Sequence, residues 1–212
     1  IITHCYGIPK IIGVDPVIYD ASHAFGVKVH GKSILSYGDC SIISFHATKL
    51  FQSIEGGAVV TNRDDIAEKV RWMRNFGHNG QYKYFGVGIN AKMSEFHAAM
   101  GLCSLETIDD TIKKYNSIIK KYNKAFNLKH KNLTYYPIFY KTEEDVLRAI
   151  KVLKKNHIFP RRYFYPALNT IFSDIQCPIS EALMKRVLCL PLYYELTDKD
   201  VERVIRVVKS TL

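Results

Sequence analysis

Short apolar runs that end in polar residues alternate with longer stretches of helical periodicity through the first half of the chain. Val17-Ile18-Tyr19 runs into Asp20, Ile42-Ile43 into Ser44, and Ala58-Val59-Val60, introduced by Gly56-Gly57, leads to Asn62. Runs of this length bounded by turn formers predict strands, and their alternation with helices predicts an α/β layer. Asn62 is the expected N-cap of a helix that carries Ile66, Val70 and Met73 on one side and stops at Gly77. From Ser94 to about Phe126 the pattern is wholly helical, with one stripe at Phe96, Met100 and Cys103 and another at Ile112, Tyr115, Ile119, Tyr122 and Phe126. Asp109-Asp110 is expected to mark a break or bend between the stripes.

Beyond this point the chain reads as a smaller α+β unit. A strand is expected near residues 133–140, a helix capped by Thr142, a strand near 187–192 and a last helix from Thr197. Thr142 is followed three residues later by Asp145, and Thr197 by Asp200, both variants of the capping box. The expected domains are therefore 1–126, a partial large domain that includes the long helices, and 127–212, a small C-terminal domain. There is no internal repeat and no low-complexity linker.

Composition changes this picture little. The 212 residues are 47% hydrophobic, 12% aromatic and 24% charged, which fits a folded globular chain and excludes collagen-like, disordered and disulfide-scaffold classes. The net charge of +10 is carried by scattered lysines such as Lys113, Lys114, Lys120, Lys121 and Lys124, which read as solvated helix faces, and no nucleic-acid motif accompanies them. Five widely spaced cysteines, two of them (Cys40 and Cys189) in apolar runs, fit buried thiols in a reducing cytosol. No stretch is apolar enough to predict a membrane span or an export signal. No His or Cys spacing suits a metal, and none is expected.

Asp20 and Lys49 each lie just past the C-terminal end of an expected strand, where open α/β sheets present ligand-binding groups. With Ser44 and His23, the segment pair offers an amine, a carboxylate, a hydroxyl and an imidazole. That set suits pyridoxal phosphate: the amine captures the aldehyde, and the carboxylate keeps the ring nitrogen protonated so that the ring can draw electrons. Each residue also has a plainer reading. Lys49 alone is an ordinary exposed lysine, Asp20 caps a turn, His23 is a hydrogen-bonded core histidine, and Ser44 bonds local backbone. His46 is assigned a structural role.

The strings VIYDASHAFG (17–26), SFHATK (44–49), EGGAVVTN (55–62), RNFG (74–77) and GINAKMSEFHAAMGL (88–102) occur in this order. Along nearly the whole chain they resemble the DegT/DnrJ/EryC1/StrS family of sugar-nucleotide aminotransferases. The resemblance implies a pyridoxal-phosphate-dependent transferase of fold type I, aspartate aminotransferase-like. Such an α/β protein has a mainly parallel sheet in its large domain and a smaller α+β C-terminal domain. It implies Lys49 as the Schiff-base lysine, Asp20 on the pyridinium nitrogen, His23 near the ring and its hydroxyl, and Ser44 as a phosphate ligand. Asn90 resembles an asparagine that reaches the phosphate of the neighbouring subunit's cofactor, so a homodimer with shared sites is implied.

The stretches THCYG (3–7), SFHATK (44–49), FPRRYFYP (159–166) and RVLCLPLY (186–193) look most similar to family members that aminate a dTDP-4-keto-6-deoxyhexose at carbon 4. The implied donor is glutamate and the implied product dTDP-4-amino-4,6-dideoxyglucose, destined for bacterial surface polysaccharide and made in the cytoplasm. Arg162, Tyr163 and Tyr165 are candidate nucleotide or sugar contacts, and equally candidate core of the small domain. Amination at carbon 3 and a non-catalytic binding or regulatory homologue remain the alternatives. Family members carry a further segment before the HCYG strand, with a phosphate loop and a ring-stacking aromatic, so the N-terminal part is expected to be missing. They also fit a helix between the counterparts of Gly7 and Asp20, where this chain has a short connection that is awkward between parallel strands.

Overall fold

The computed structural model describes residues 1–212. Its first sheet is built from β1 (Ile2–Thr3), β2 (Ile18–Asp20), β5 (Cys40–Ser44) and β6 (Gly57–Val60), in that spatial order. β1, β2 and β5 are parallel, with Thr3 beside Asp20 and Asp20 beside Ile42, and β6 runs antiparallel on β5. The three expected strands are therefore present, and the alternation within them has a direction: Tyr19, Ser41 and Ile43 are buried, whereas Ile18, Ile42 and Val59 are exposed. A small hairpin, β3 (Lys28–Val29) with β4 (Lys32–Ser33), lies in the connection between β2 and β5.

The parallel pair β1 and β2 is joined by residues 4–17 with no α-helix, the connection that looked awkward from the sequence. Two buried side chains do the work of the helix. His4 Nδ1 accepts the Lys10 amide at 3.1 Å, while the Tyr19 hydroxyl accepts the Ile12 amide at 3.0 Å and donates to the Ile12 carbonyl at 3.3 Å. His4 stacks on Tyr19 with centroids 4.9 Å apart. Parallel strands need a connection of about a dozen residues or more, not a helix as such, provided its backbone groups find partners.

Helix α1 (Asp64–Met73) begins one residue later than expected, because Arg63 rather than Asn62 is the N-cap. The Thr61 hydroxyl accepts the Arg63 amide, and Asp64 and Asp65 in the first turn complement the helix dipole. Helix α2 (Glu95–Phe126) runs unbroken for 32 residues, so the bend expected at Asp109-Asp110 does not occur. Lys113 and Lys114 follow those aspartates by four residues, a spacing that supports helix rather than ending it.

The chain divides into two units, residues 1–112 with 132–134, and residues 113–131 with 135–212. The second is built on β7 (Tyr136–Phe139) paired antiparallel with β8 (Val187–Leu190), and on α3 (Glu143–Lys155), α4 (Asn169–Phe172), α5 (Pro178–Arg186) and α6 (Asp198–Lys209). Both expected capping boxes form, Thr142 with Asp145 and Thr197 with Asp200. Val201, Val204, Val207 and Val208 on α6 are buried, each contributing on the order of 1.5–2 kcal/mol through removal from water. Tyr122 is fully buried and donates its hydroxyl to the Pro191 carbonyl at 3.0 Å. All five cysteines are free. Cys40 and Cys189 are buried, but Cys5 and Cys103 are exposed, so burial does not extend to every thiol. No helix is long and apolar enough to cross a membrane.

Candidate active site

The first unit gathers its chemistry at the C-terminal ends of β2 and β5. Asp20 is the last residue of β2, and its backbone stays in register on both sides: its carbonyl accepts the His4 amide at 2.9 Å, and the next residue, Ala21, donates to Ile42 at 2.8 Å. The Asp20 carboxylate is half-buried and accepts two hydrogen bonds at Oδ1 from Ser22, from the amide at 3.0 Å and the hydroxyl at 2.6 Å. His23 follows, with its carbonyl held by the Thr134 hydroxyl at 2.7 Å. Gly7 closes over the same carbonyl. Its φ is +77°, and an added Cβ would stand 2.4 Å from the His23 oxygen, so both conformation and space demand glycine.

Lys49 lies on the loop between β5 and β6. That loop is braced by Phe45 N to Gly56 O, Ala47 N to Ile54 O and Ser53 N to Phe45 O, each at 2.8 Å, and the Lys49 amide donates to the His46 carbonyl at 2.9 Å. Phe51 anchors it from below, buried between Phe25 at 5.0 Å and Phe45 at 4.8 Å. Gly56, at φ +148°, lies where a Cβ would meet the Met93 side chain at 2.6 Å. His46 is exposed: its Nδ1 lies 2.9 Å from the Thr48 hydroxyl, and its Nε2 is 3.7 Å from Glu55. The amine is thus carried on a loop with little freedom.

Electrostatics tie these groups together. Burial lowers the pKa of Lys49 from its ordinary value, and the Asp20 carboxylate offsets part of that shift. Burial, and then the Lys49 ammonium, push His23 down to about 4, against the pull of Asp20. The Asp20 carboxylate thus acts on both a neutral imidazole and an amine eased toward its nucleophilic form. Ser44, half-buried at the end of β5, accepts the His46 amide at 3.3 Å, which leaves its hydroxyl proton to give.

The other expected residues lie elsewhere. Asn90 is exposed, pairs as an isolated bridge with Asn75, and accepts Lys92 Nζ at 2.7 Å; no bond or charge interaction joins it to Asp20, His23 or Lys49. Arg162, Tyr163 and Tyr165 belong to the second unit. The Arg162 guanidinium is 2.7 Å from Glu143, donates to the Lys185 carbonyl at 3.2 Å and lies 3.6 Å over the Tyr165 ring. Tyr163 packs on Tyr135 at 4.9 Å, and Tyr165 is exposed. Sequence reasoning passed over Ser22, His4 and Tyr19. Only Ser22 left a readable trace, the Asp-x-Ser spacing that places a hydroxyl and an amide on an aspartate two residues earlier.

The donor set fits pyridoxal phosphate. An aldehyde needs an amine with a lowered pKa on a fixed loop, and a pyridinium nitrogen needs a carboxylate that is not spent on an ion pair; Lys49 and Asp20 meet both conditions.

Comparison with known proteins places these features in context. The model of the DegT/DnrJ/EryC1/StrS aminotransferase family matches residues 13–209. The dTDP-4-amino-4,6-dideoxy-D-glucose transaminase of Shigella dysenteriae is 34% identical over 98% of this chain and 64% of its own length. The GDP-perosamine synthase of Caulobacter vibrioides is 28% identical over 99% of this chain and 64% of its own. The crystal structure of DesI in the presence of its TDP-sugar product superimposes with a TM-score of 0.84 at 30% identity, covering 98% of this chain and 60% of that one. The chain thus spans a little under two thirds of the length of these relatives.

Proposed function

Since the chain belongs to the DegT/DnrJ/EryC1/StrS aminotransferase family, we propose that it carries the catalytic lysine of a pyridoxal-phosphate-dependent sugar-nucleotide aminotransferase. The observation that carries this reading is the placement of the Asp20 carboxylate at the end of β2 and of Lys49 on the braced loop after the neighbouring strand β5, where the carboxylate acts on both Lys49 and His23. When bound, the cofactor supplies the electron sink for moving an amino group between an amino acid and a keto sugar. Lys49 Nζ would hold its aldehyde carbon, and the same amine is placed to move a proton at the substrate carbon that bears the nitrogen. Asp20 would accept a hydrogen bond from the protonated ring nitrogen and keep its proton in place, neutral His23 would bond at the ring hydroxyl, and the Ser44 hydroxyl would donate to phosphate.

The proposed acceptor is a dTDP-4-keto-6-deoxyhexose, the donor glutamate, and the product dTDP-4-amino-4,6-dideoxyglucose for bacterial surface polysaccharide, made in the cytoplasm. The name and the higher identity of the Shigella dysenteriae relative favour this substrate over the GDP-linked sugar of the Caulobacter vibrioides one. Residues 1–126 serve as the cofactor-binding part, and Arg162, Tyr163 and Tyr165, on the 127–212 part, as nucleotide or sugar contacts.

The working unit is a homodimer with shared sites. Val87 and Phe96 are 91% and 87% exposed, and Tyr82, Ile89 and Leu102 are exposed with them, an apolar surface that a second copy would cover. Asn90 lies in the same stretch, free of its own chain's site.

The test is incubation of the full-length protein with pyridoxal phosphate, glutamate and dTDP-4-keto-6-deoxyglucose, followed by NMR of the product. Nitrogen at carbon 4 is expected. Nitrogen at carbon 3 refutes the regiochemistry, and no transfer from any amino acid refutes the activity and supports a binding homologue.

A further inference from the structure

The carboxylate of Asp20 is used unevenly. Both hydrogen bonds from Ser22 fall on Oδ1, the amide at 3.0 Å and the hydroxyl at 2.6 Å, and Oδ2 accepts none. An ordinary turn after a strand needs only the amide bond. The short second bond comes from a hydroxyl that any aliphatic residue at position 22 would lack.

We infer that Ser22 is a positioning residue: it clamps Oδ1 of Asp20 through its hydroxyl so that Oδ2 faces the ring nitrogen of the cofactor. This rests on the pyridoxal phosphate reading given above. An aspartate side chain has two torsions, and one backbone bond leaves the carboxylate free to swing about it; two donors converging on one oxygen hold its plane. The hydroxyl also occupies Oδ1, which leaves a single oxygen to accept the hydrogen bond of the protonated ring nitrogen. Ser22 is itself fixed before any ligand arrives. Ala21 on one side donates to Ile42 at 2.8 Å, Ala24 on the other donates back to Ala21 at 2.8 Å, and both alanines are fully buried. Orientation set in advance is what makes such a contact effective.

The test uses the full-length protein, titrated with pyridoxal phosphate as wild type, Ser22→Ala, Ser22→Thr, Asp20→Asn and the Ser22→Ala/Asp20→Asn double variant. Loss of one charge-assisted bond that acts through Asp20 should weaken cofactor binding by about 5- to 20-fold in Ser22→Ala. The pH at which the bound ring loses its nitrogen proton, followed by absorbance, should move down. Ser22→Thr keeps a hydroxyl and should restore both. In the Asp20→Asn background Ser22→Ala should change neither, because the residue it acts through is already altered.

Wild-type affinity and an unmoved pH profile in Ser22→Ala, or effects that add fully in the double variant, would overturn the inference while leaving the cofactor reading intact. A wild-type protein that takes up no pyridoxal phosphate would overturn the cofactor reading, and the inference with it.

Discussion

The second unit is held by periodic apolar burial, whereas the site region of the first is held by polar side chains bonded to backbone. In the second, Val146, Ala149 and Leu153 on α3 and four valines on α6 repeat at helical spacing, and each helix opens on a capping box. In the first, the connection after β1 hangs on His4 and Tyr19, Asp20 is set by Ser22, and the Lys49 loop is braced by its own backbone and by Phe51. Its sheet also leaves Ile18, Ile42 and Val59 exposed. A packed core tolerates substitutions that keep volume and pattern. A chemical site needs particular atoms at particular strand ends, and that demand is met by bonds that periodicity does not reveal.

Activity and stability should separate between the two regions. Asp20→Ala should lower transamination by about a thousandfold, within the range for removing a group that acts directly on the reacting system, with little change in thermal unfolding. A parallel loss of stability would mean that the carboxylate is structural.

Leu153→Ala should do the reverse. Leu153 is fully buried on α3, so its truncation should cost about 2–5 kcal/mol in chemical denaturation while pyridoxal phosphate affinity stays the same.

Acid should act on the first unit through His23. The folded pKa of His23, about 4, lies below the ordinary 6.5, so the unfolded chain takes up the proton first as pH falls. The stability associated with neutral His23 is complete above pH 6.5 and drains away toward pH 4, by about 1–3 kcal/mol in all. Burial lowers His4 as well, in the same direction. Denaturation followed between pH 7 and 4 in wild type and His23→Asn checks this, and an unchanged pH dependence in the variant would remove His23 as its source.

The smallest effect is expected at a cap. Thr197→Ala removes the hydroxyl that accepts the Asp200 amide at 3.2 Å, and should destabilise the second unit by about 1 kcal/mol without altering catalysis.

What could be read in advance follows the same division. The strand ends at Asp20 and Ser44 were legible because apolar runs stop there, and Thr142 and Thr197 because a capping box is a local pattern. Asn62 misled because Thr61 and the aspartates of the first turn start α1 without it. Asp109-Asp110 misled because an acidic pair in mid-helix looks like punctuation, while the lysines four residues on sustain the helix. Helix α5 was passed over although Pro178 at its first turn is a usable start signal. The helix-free crossover between β1 and β2 was not legible at all, since it depends on His4 and Tyr19 reaching backbone six or seven residues away. Among the candidate site residues, Asp20, His23 and Lys49 stood out as a motif, but Ser22 counts only once its two bonds to a single oxygen are seen.

Lys49, on its braced loop, is the amine expected to hold the cofactor. Borohydride reduction of the full-length protein loaded with pyridoxal phosphate, followed by peptide mass spectrometry, tests it directly. The cofactor's mass is expected on the peptide containing Lys49 and on no other, and none in Lys49→Ala. Cofactor fixed to a different lysine, or retained covalently in Lys49→Ala, would contradict it.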